Sequence, residues 1–141
     1  MKGLRFIPEM AVAAMERRKT ETRRVIVPQP CDLTCGLEDQ GGGRWRPYEY
    51  MEGRPVVADV DVRCDYQVGE RRCLLTTWAV DSEMNLLKPS ELDPDHLKIY
   101  GGIWHAGLGV PKPADFGKSR PGWSLSNHLR HLMPEFEITG V

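Results

Sequence analysis

The residues best suited to chemistry lie in one basic segment near the start of the chain. The segment reads Arg17-Arg18-Lys19-Thr20-Glu21-Thr22-Arg23-Arg24. Its arginines offer forked donors that match the geometry of a phosphate group. Lys19 lies among like charges, which favour a neutral amine that can act as a general base. The hydroxyl of Thr22 could meet that amine if the chain turns, and a threonine beside an amine base can become a nucleophile.

The same segment also fits a simpler interpretation. Cations at the end of a helix are often a solvated face that complements the helix dipole. The whole chain has 141 residues and a net charge of −1, so bulk charge gives no argument for nucleic-acid binding. Only the local density of cations favours an anion, and the segment therefore predicts an anion-binding site or a base–nucleophile pair.

Length and hydropathy restrict the class of protein. A chain of this length fits one domain over residues 1–141 that buries its own core. There is no apolar run long enough to span a membrane and no secretory signal at the start. We therefore expect a monomeric protein of the cytoplasm that does not contact membranes.

Metal binding is not expected from the cysteines or the histidines. The cysteines are Cys31, Cys35, Cys64 and Cys73. Their spacings differ from those of zinc sites, so we expect reduced thiols, no metal and no cofactor. His128 and His131 could share a helix face but lack partners, and we expect them at the surface or at a helix cap.

The elements that must position the basic segment are a helix before it and a strand after it. Pro8 suits the first helical turn, and residues 9–18 are rich in helix-forming Ala and Met. Residues 31–55 are expected to be mostly irregular, as a loop or a short hairpin. The predicted strands span residues 3–7, 23–27, 56–62, 72–78 and 136–141, with 97–100 and 103–105 paired around a Gly-Gly turn.

This pattern predicts an α+β or mainly β fold, a small barrel with one N-terminal helix and long loops. Repeated strand–helix units are absent, which excludes a doubly wound sheet. The run Gly41-Gly42-Gly43 lacks the strand-to-helix context of a phosphate-binding loop.

Three motifs resemble those of ASCH-domain proteins, most closely the small ASCH-like proteins of bacteriophages and prophages. The first is RKTETRR, between the predicted helix and a strand that ends in Pro-Gln-Pro. The second is YQVGE followed by TWA, and the third runs from RPG through MP to ITGV. They lie at residues 18–24, 66–70 with 77–79, and 120–122 through 133–141.

The resemblance implies a PUA-like β-barrel with a pocket for RNA, a nucleotide or a modified nucleoside. Some members of the wider family are amidohydrolases of acetylated cytidine, in which the lysine and second threonine of this motif are base and nucleophile. Lys19 and Thr22 match those positions. A glutamate acts there as the acid, and Glu91 is the nearest candidate by order along the chain. The alternative functions are therefore a hydrolase of that type and a phage factor that binds a host protein.

Aromatic residues offer further candidates for the site. Trp78 could stack on a base but also fits the core. Trp45 and Tyr48 lie beside Arg44 and Arg46 and could form a stacking lip for single-stranded RNA, or a loop folded on its own aromatics. His105 follows Trp104 and is a possible pocket residue. Leu75-Thr76-Thr77 stands where the ASCH-like relatives usually carry Arg-Glu-Thr, which removes a charged pair from the implied pocket.

Overall fold

The computed structural model describes residues 1–21, 34–57 and 61–140. In these ranges the helices are α1 Pro8–Met15 and α2 Pro94–Ile99. The strands are β1 Gly3–Arg5, β2 Gly36–Gly41, β3 Arg44–Met51, β4 Arg54–Val57, β5 Val62–Arg63, β6 Arg71–Leu75, β7 Trp78–Ala79, β8 Trp104–His105 and β9 Glu135–Glu137. The strand predicted at residues 23–27 lies outside the described residues.

The chain forms two compact units, which are described separately. The first, here the N/C unit, contains Met1–Glu21 and Arg71–Glu137. The second, here the meander unit, contains Thr22–Glu70 and Ile138–Val141. The assignment of residues 1–141 to a single domain stays a prediction.

The N/C unit is built on a three-stranded sheet with the order β1-β6-β9. Strand β1 runs parallel to β6, with Leu4 beside Leu74, and β9 runs antiparallel to β6. Side chains alternate between the two faces of a strand. Cys73 and Leu75 accordingly enter the main core, whose other members are Trp78, Val80, Met84, Leu92, Leu97, Leu125, Leu129 and Met133.

Helix α1 is shorter than the sequence predicts because the chain turns out of it at a left-handed residue. Pro8 occupies the first turn, and Ala11 and Ala14 are buried. Arg17 has a φ of 58°. The N–H groups of Arg17 and Arg18 donate to the carbonyls of Ala14 and Ala13, at 3.1 and 2.8 Å. These two bonds form a Schellman motif, a helix end that usually carries glycine at the left-handed position.

The meander unit corrects the expectation that residues 31–55 are mostly irregular. Strands β2, β3 and β4 form an antiparallel meander, and β5 also pairs with β3. The glycine run at residues 41–43 forms the β2–β3 turn, and all three glycines have positive φ. That position, between antiparallel strands, agrees with discounting the run as a phosphate-binding loop.

The predicted pairing of strands at residues 97–100 and 103–105 is wrong, although β8 confirms a strand within the second range. Residues up to Ile99 continue α2, which begins after Asp93, whose side chain caps it. Gly101, with φ of 83°, lies just past the helix end, and the Gly102 N–H donates to the Leu97 carbonyl at 2.6 Å. Strand β8 pairs with β7 instead. The Gly-Gly pair therefore ends a helix here and does not turn a hairpin.

The coarse fold class, a small α+β protein with much of its regular structure in sheets, is confirmed. The described strands lie in separate small sheets and do not close into a barrel. No helix in the described ranges is long and apolar enough to cross a bilayer.

Candidate ligand-binding site

The start of the basic segment is held on α1 by backbone hydrogen bonds. The Lys19 N–H donates to the Ala13 carbonyl at 3.0 Å, and Lys19 is half-buried. Arg18 is exposed and forms an ion pair with Glu16, while Thr20 is exposed. The helix end therefore fixes the backbone of Arg17, Arg18 and Lys19 within the N/C unit.

The second half of the basic segment cannot be placed beside the first. Thr22, Arg23 and Arg24 lie outside the described residues. The pairing of Lys19 with Thr22 as base and nucleophile stays a prediction, as does phosphate binding by Arg23 and Arg24.

Glu91, the candidate acid, has a structural role in the described chain. It ends a short 3-10 helix, Pro89–Glu91, and its carboxylate accepts the N–H of Lys88 at 2.8 Å. The residue is exposed. The role of Glu91 as the acid of a hydrolase stays a prediction.

Trp78 is a core residue and offers no free face for stacking on a base. Its side chain is 0 % exposed. The indole N–H donates to the Pro121 carbonyl at 3.1 Å and to Ser124 Oγ at 3.2 Å. The guanidinium of Arg120 lies 5.1 Å from the ring centroid. The expectation that Trp78 binds a nucleotide by stacking is therefore not met, and the core alternative describes it.

The contacts of Trp78 bring the second and third sequence motifs together. Trp78 and Arg120 exchange backbone hydrogen bonds of 3.0 and 2.7 Å. A Cβ on Gly122 would lie 2.8 Å from the Thr76 nitrogen and 2.9 Å from the Leu75 carbonyl carbon. Only glycine allows this close approach of two backbones. The Arg-Pro-Gly run thus packs directly on the end of β6.

The end of β6 and strand β8 carry two buried polar groups that lack partners. Thr76 is 2 % exposed and His105 is 5 % exposed. Among the described residues, neither Thr76 Oγ1 nor His105 Nδ1 has a hydrogen-bond partner. Buried polar atoms in folded proteins are nearly always bonded, and an unbonded one costs about 1–3 kcal/mol. These two atoms are therefore the clearest sign of a site that a ligand completes.

The surroundings of His105 are tight and apolar. A Cβ on Gly107 would lie 2.8 Å from Leu74 Cδ2 and 3.0 Å from His105 Nδ1, so the glycine leaves room for the imidazole. Burial lowers the pKa of His105, which is therefore neutral at pH 7. A neutral imidazole presents Nδ1 as a donor or an acceptor according to its tautomer.

Helix α1 links the basic segment to the surroundings of His105. It packs against the 3-10 helix Ala106–Leu108, which directly follows His105. Val12 Cγ1 lies 3.6 Å from the position of a Cβ on Gly109. The same helix carries Ala13, whose carbonyl holds the Lys19 backbone. We call the set Thr76, His105 and the helix end Arg17–Lys19 the candidate site. It combines two buried, neutral hydrogen-bonding groups with cations that are exposed or half-buried.

Three of the four cysteines, and both histidines that the sequence places near a helix, lie within the described residues. Cys64 and Cys73 have free thiols, and burial raises the pKa of the Cys73 thiol. His128 Nε2 lies 2.7 Å from the Leu92 carbonyl, and His131 is exposed. In residues 1–21, 34–57 and 61–140, no three His, Cys, Asp or Glu side chains come together as a metal site.

The aromatic lip expected from Trp45 and Tyr48 is divided between two faces of β3. Tyr48 contacts Tyr50, two residues on, with ring centroids 5.8 Å apart. Trp45 lies opposite Val62, which is buried, and therefore belongs to the other face. The two residues cannot form one stacking surface.

Sequence reasoning missed Thr76 as a site residue, although it noted the position. The residue was visible only as a departure from the Arg-Glu-Thr of ASCH-like proteins. Comparison of the chain with models of protein families, with curated proteins and with solved structures found no match. The residues of the candidate site are therefore the basis on which a function is inferred.

Proposed function

We propose that this chain binds a nucleoside or nucleotide, free or within RNA, at the candidate site. The observation that carries the proposal is the pair of unpartnered buried groups, Thr76 Oγ1 and His105 Nδ1. A hydroxyl and a neutral imidazole suit the polar edge of a base or a modified base, because such an edge brings uncharged donors and acceptors. They suit a phosphate less well, because the site offers that group no buried positive charge.

The phosphate or ribose end of the ligand is assigned to the helix end. Arg17 and Lys19 have no ion pair among the described residues, and Arg18 is held by Glu16. Exposed cations add long-range attraction that weakens with salt, whereas the buried pair selects the base. We further propose, from the ASCH resemblance, a phage-encoded protein that works as a monomer in the bacterial cytoplasm.

Calorimetric titration of the purified chain with nucleosides and their monophosphates tests the proposal. Cytidine, uridine and acetylcytidine cover unmodified and acylated bases. Thr76→Val removes the hydroxyl and should weaken binding by about 3- to 30-fold, the value of one buried hydrogen bond. The matched control is Thr77→Val, one residue on and half-buried. Equal affinity in the wild type and Thr76→Val would overturn the assignment of the site.

The same samples separate the alternative functions. If the wild type releases acetate from acetylcytidine and Lys19→Ala does not, the protein is a hydrolase and not only a binding protein. Absence of any nucleoside or nucleotide binding at low salt would refute the proposal. A host protein as the functional partner would then become the better explanation.

A further inference from the structure

One face of the meander unit gathers arginines and tyrosines that the proposed site does not use. Strand β3 alternates, so Arg44, Arg46, Tyr48 and Tyr50 lie on one face, and Trp45 and Pro47 on the other. Strand β5 adds Arg63 to the first face, because it pairs with Arg44. We call Arg44, Arg46, Tyr48, Tyr50 and Arg63 the Arg–Tyr face.

We propose that the Arg–Tyr face binds a single strand of RNA, with phosphates at Arg44 and Arg63 and bases on the two tyrosines. The surface lies wholly in the meander unit. It does not depend on the nucleoside site proposed in the N/C unit.

The arginine end of the face carries positive charge that the described residues leave unneutralised. Arg44 and Arg63 are exposed and stand directly opposite one another across the β3–β5 pair. Like charges at opposed positions destabilise a sheet. Neither guanidinium has an ion pair within the described part of the chain. Two successive phosphates of a strand, one at each guanidinium, relieve the repulsion, because arginine binds phosphate with good geometry.

The middle of the face is neutral, which confines the anion to one end. Arg46 bonds Asp61 through Nε at 2.9 Å. Glu38 stands opposite Arg46 in the register of β2 and β3. These two carboxylates offset the positive charge of Arg46. The net positive charge of the face therefore lies at Arg44 and Arg63.

The tyrosine end offers aromatic surface held against the sheet. A Cβ on Gly36 would lie 2.6 Å from Tyr48 Oη and 2.8 Å from Cζ, so the Tyr48 ring lies across this glycine. Tyr50 contacts Tyr48 edge to face and is 61 % exposed. Exposed aromatic rings of this kind stack on bases with little regard to sequence.

Charge and rings together favour a single strand over the other candidate partners. From Arg44 to Tyr50 the strand extends about 20 Å, at about 3.4 Å per residue. An extended nucleic-acid strand supplies phosphates and unstacked bases along that length, whereas a duplex hides the faces of its bases. An acidic protein would use the arginines but not the tyrosine faces.

Fluorescence anisotropy of a short labelled oligouridylate, titrated with the full chain at low salt, tests the proposal. Tyr50→Ala should weaken binding by about 5- to 150-fold, the loss of one stacked base. Tyr50→Phe keeps the ring and should bind nearly as the wild type does. The control for a lost tyrosine is Tyr100→Ala, which removes an exposed ring from the N/C unit.

The salt dependence of binding tests the arginines. Replacing both Arg44 and Arg63 with Gln should reduce the slope of log K against log salt by about 1.4, since each phosphate contact of a single strand contributes about 0.7. The matched control is Arg54→Gln. Arg54 is exposed on the same sheet but pairs with Met51, which places it on the opposite face.

Each outcome bears on the proposal. Loss of binding in the Arg–Tyr variants, with the three controls unaffected, supports it, and an oligothymidylate that binds equally would show that the sugar is not recognised. Unchanged binding in the variants, equal affinity for duplex RNA, or no binding of oligouridylate at low salt would overturn it. A chain that binds oligouridylate but no nucleoside supports this face and refutes the nucleoside site. The converse result refutes this face alone.

Discussion

Replacing the Thr76 hydroxyl with a methyl group should stabilise the protein while it weakens the binding of ligand. Thr76 is 2 % exposed, and its hydroxyl has no hydrogen-bond partner among the described residues. In the unfolded chain that hydroxyl forms a hydrogen bond with water, and this bond is lost when the chain folds without a ligand. Valine has nearly the same shape and has no hydroxyl, so it loses no hydrogen bond on folding. The variant Thr76→Val therefore removes a cost that only the ligand otherwise removes.

The size of the effect follows from the burial of the hydroxyl. An unsatisfied buried polar group costs about 1–3 kcal/mol. We expect Thr76→Val to raise the free energy of unfolding by about 1–2 kcal/mol, the lower part of that range, because small shifts of neighbouring atoms relieve some of the cost. For a chain of this length the change corresponds to a rise in Tm of about 3–8 °C.

Urea unfolding followed by circular dichroism measures this change directly. A shift of the midpoint at constant m-value reports stability alone. The matched control is Thr77→Val, where the half-buried side chain meets water, and its stability should change by less than about 0.5 kcal/mol. If Thr76→Val instead lowers the stability by about 1 kcal/mol or more, the hydroxyl is bonded within the protein. The candidate site then loses its main support.

Three further predictions concern pH, packing and backbone strain. Burial lowers the pKa of His105. As the pH falls, the imidazole is therefore protonated in the unfolded chain before it is protonated in the folded protein. Stability should therefore be constant above about pH 6.5 and fall below it by at most about 1.4 kcal/mol per pH unit. The urea midpoint, measured as a function of pH, should fall less steeply in His105→Gln than in the wild type. In His131→Gln, which changes an exposed residue, the fall should be unchanged. Gly122→Ala should cost about 2–3 kcal/mol, because its Cβ would lie 2.8 Å from a backbone nitrogen. Gly140→Ala, with no atom within 4 Å, should be nearly neutral in the same assay. Arg17→Gly should raise Tm through a gain of about 0.5–1 kcal/mol, because φ of 58° strains any residue with a Cβ. A lower Tm would mean that the Arg17 side chain makes a stabilising contact that outweighs the strain.

Features set by neighbouring residues were predicted well from the sequence. The first strand begins at Gly3, as expected, and Pro8 starts the helix that follows it. Such features depend on local backbone preference, which a short stretch of sequence contains completely.

Features set by distant partners were predicted less well. The strands at residues 36–51 were missed because their stability comes from pairing with one another, and their own residues have mixed propensities. Residues 97–99 were assigned to a strand, but Asp93 and Pro94 start a helix that carries Leu97 into the core. The competing signals were close in strength, and burial of Leu97 decided between them.

The amino-acid sequence by itself determined that cations cluster at the end of the first helix and that the chain alternates short strands with glycine-rich turns. Tertiary structure alone decided which polar groups are buried without partners. Thr76 and His105 lie far apart in the sequence, and both are buried in the folded chain, where β7 pairs with β8. The same holds for the aromatic residues, since register placed Trp45 and Tyr48 on opposite faces of one strand. The burial of a side chain, and the face of a sheet on which it lies, depend on how secondary-structure elements pack together. No single stretch of sequence therefore determines them.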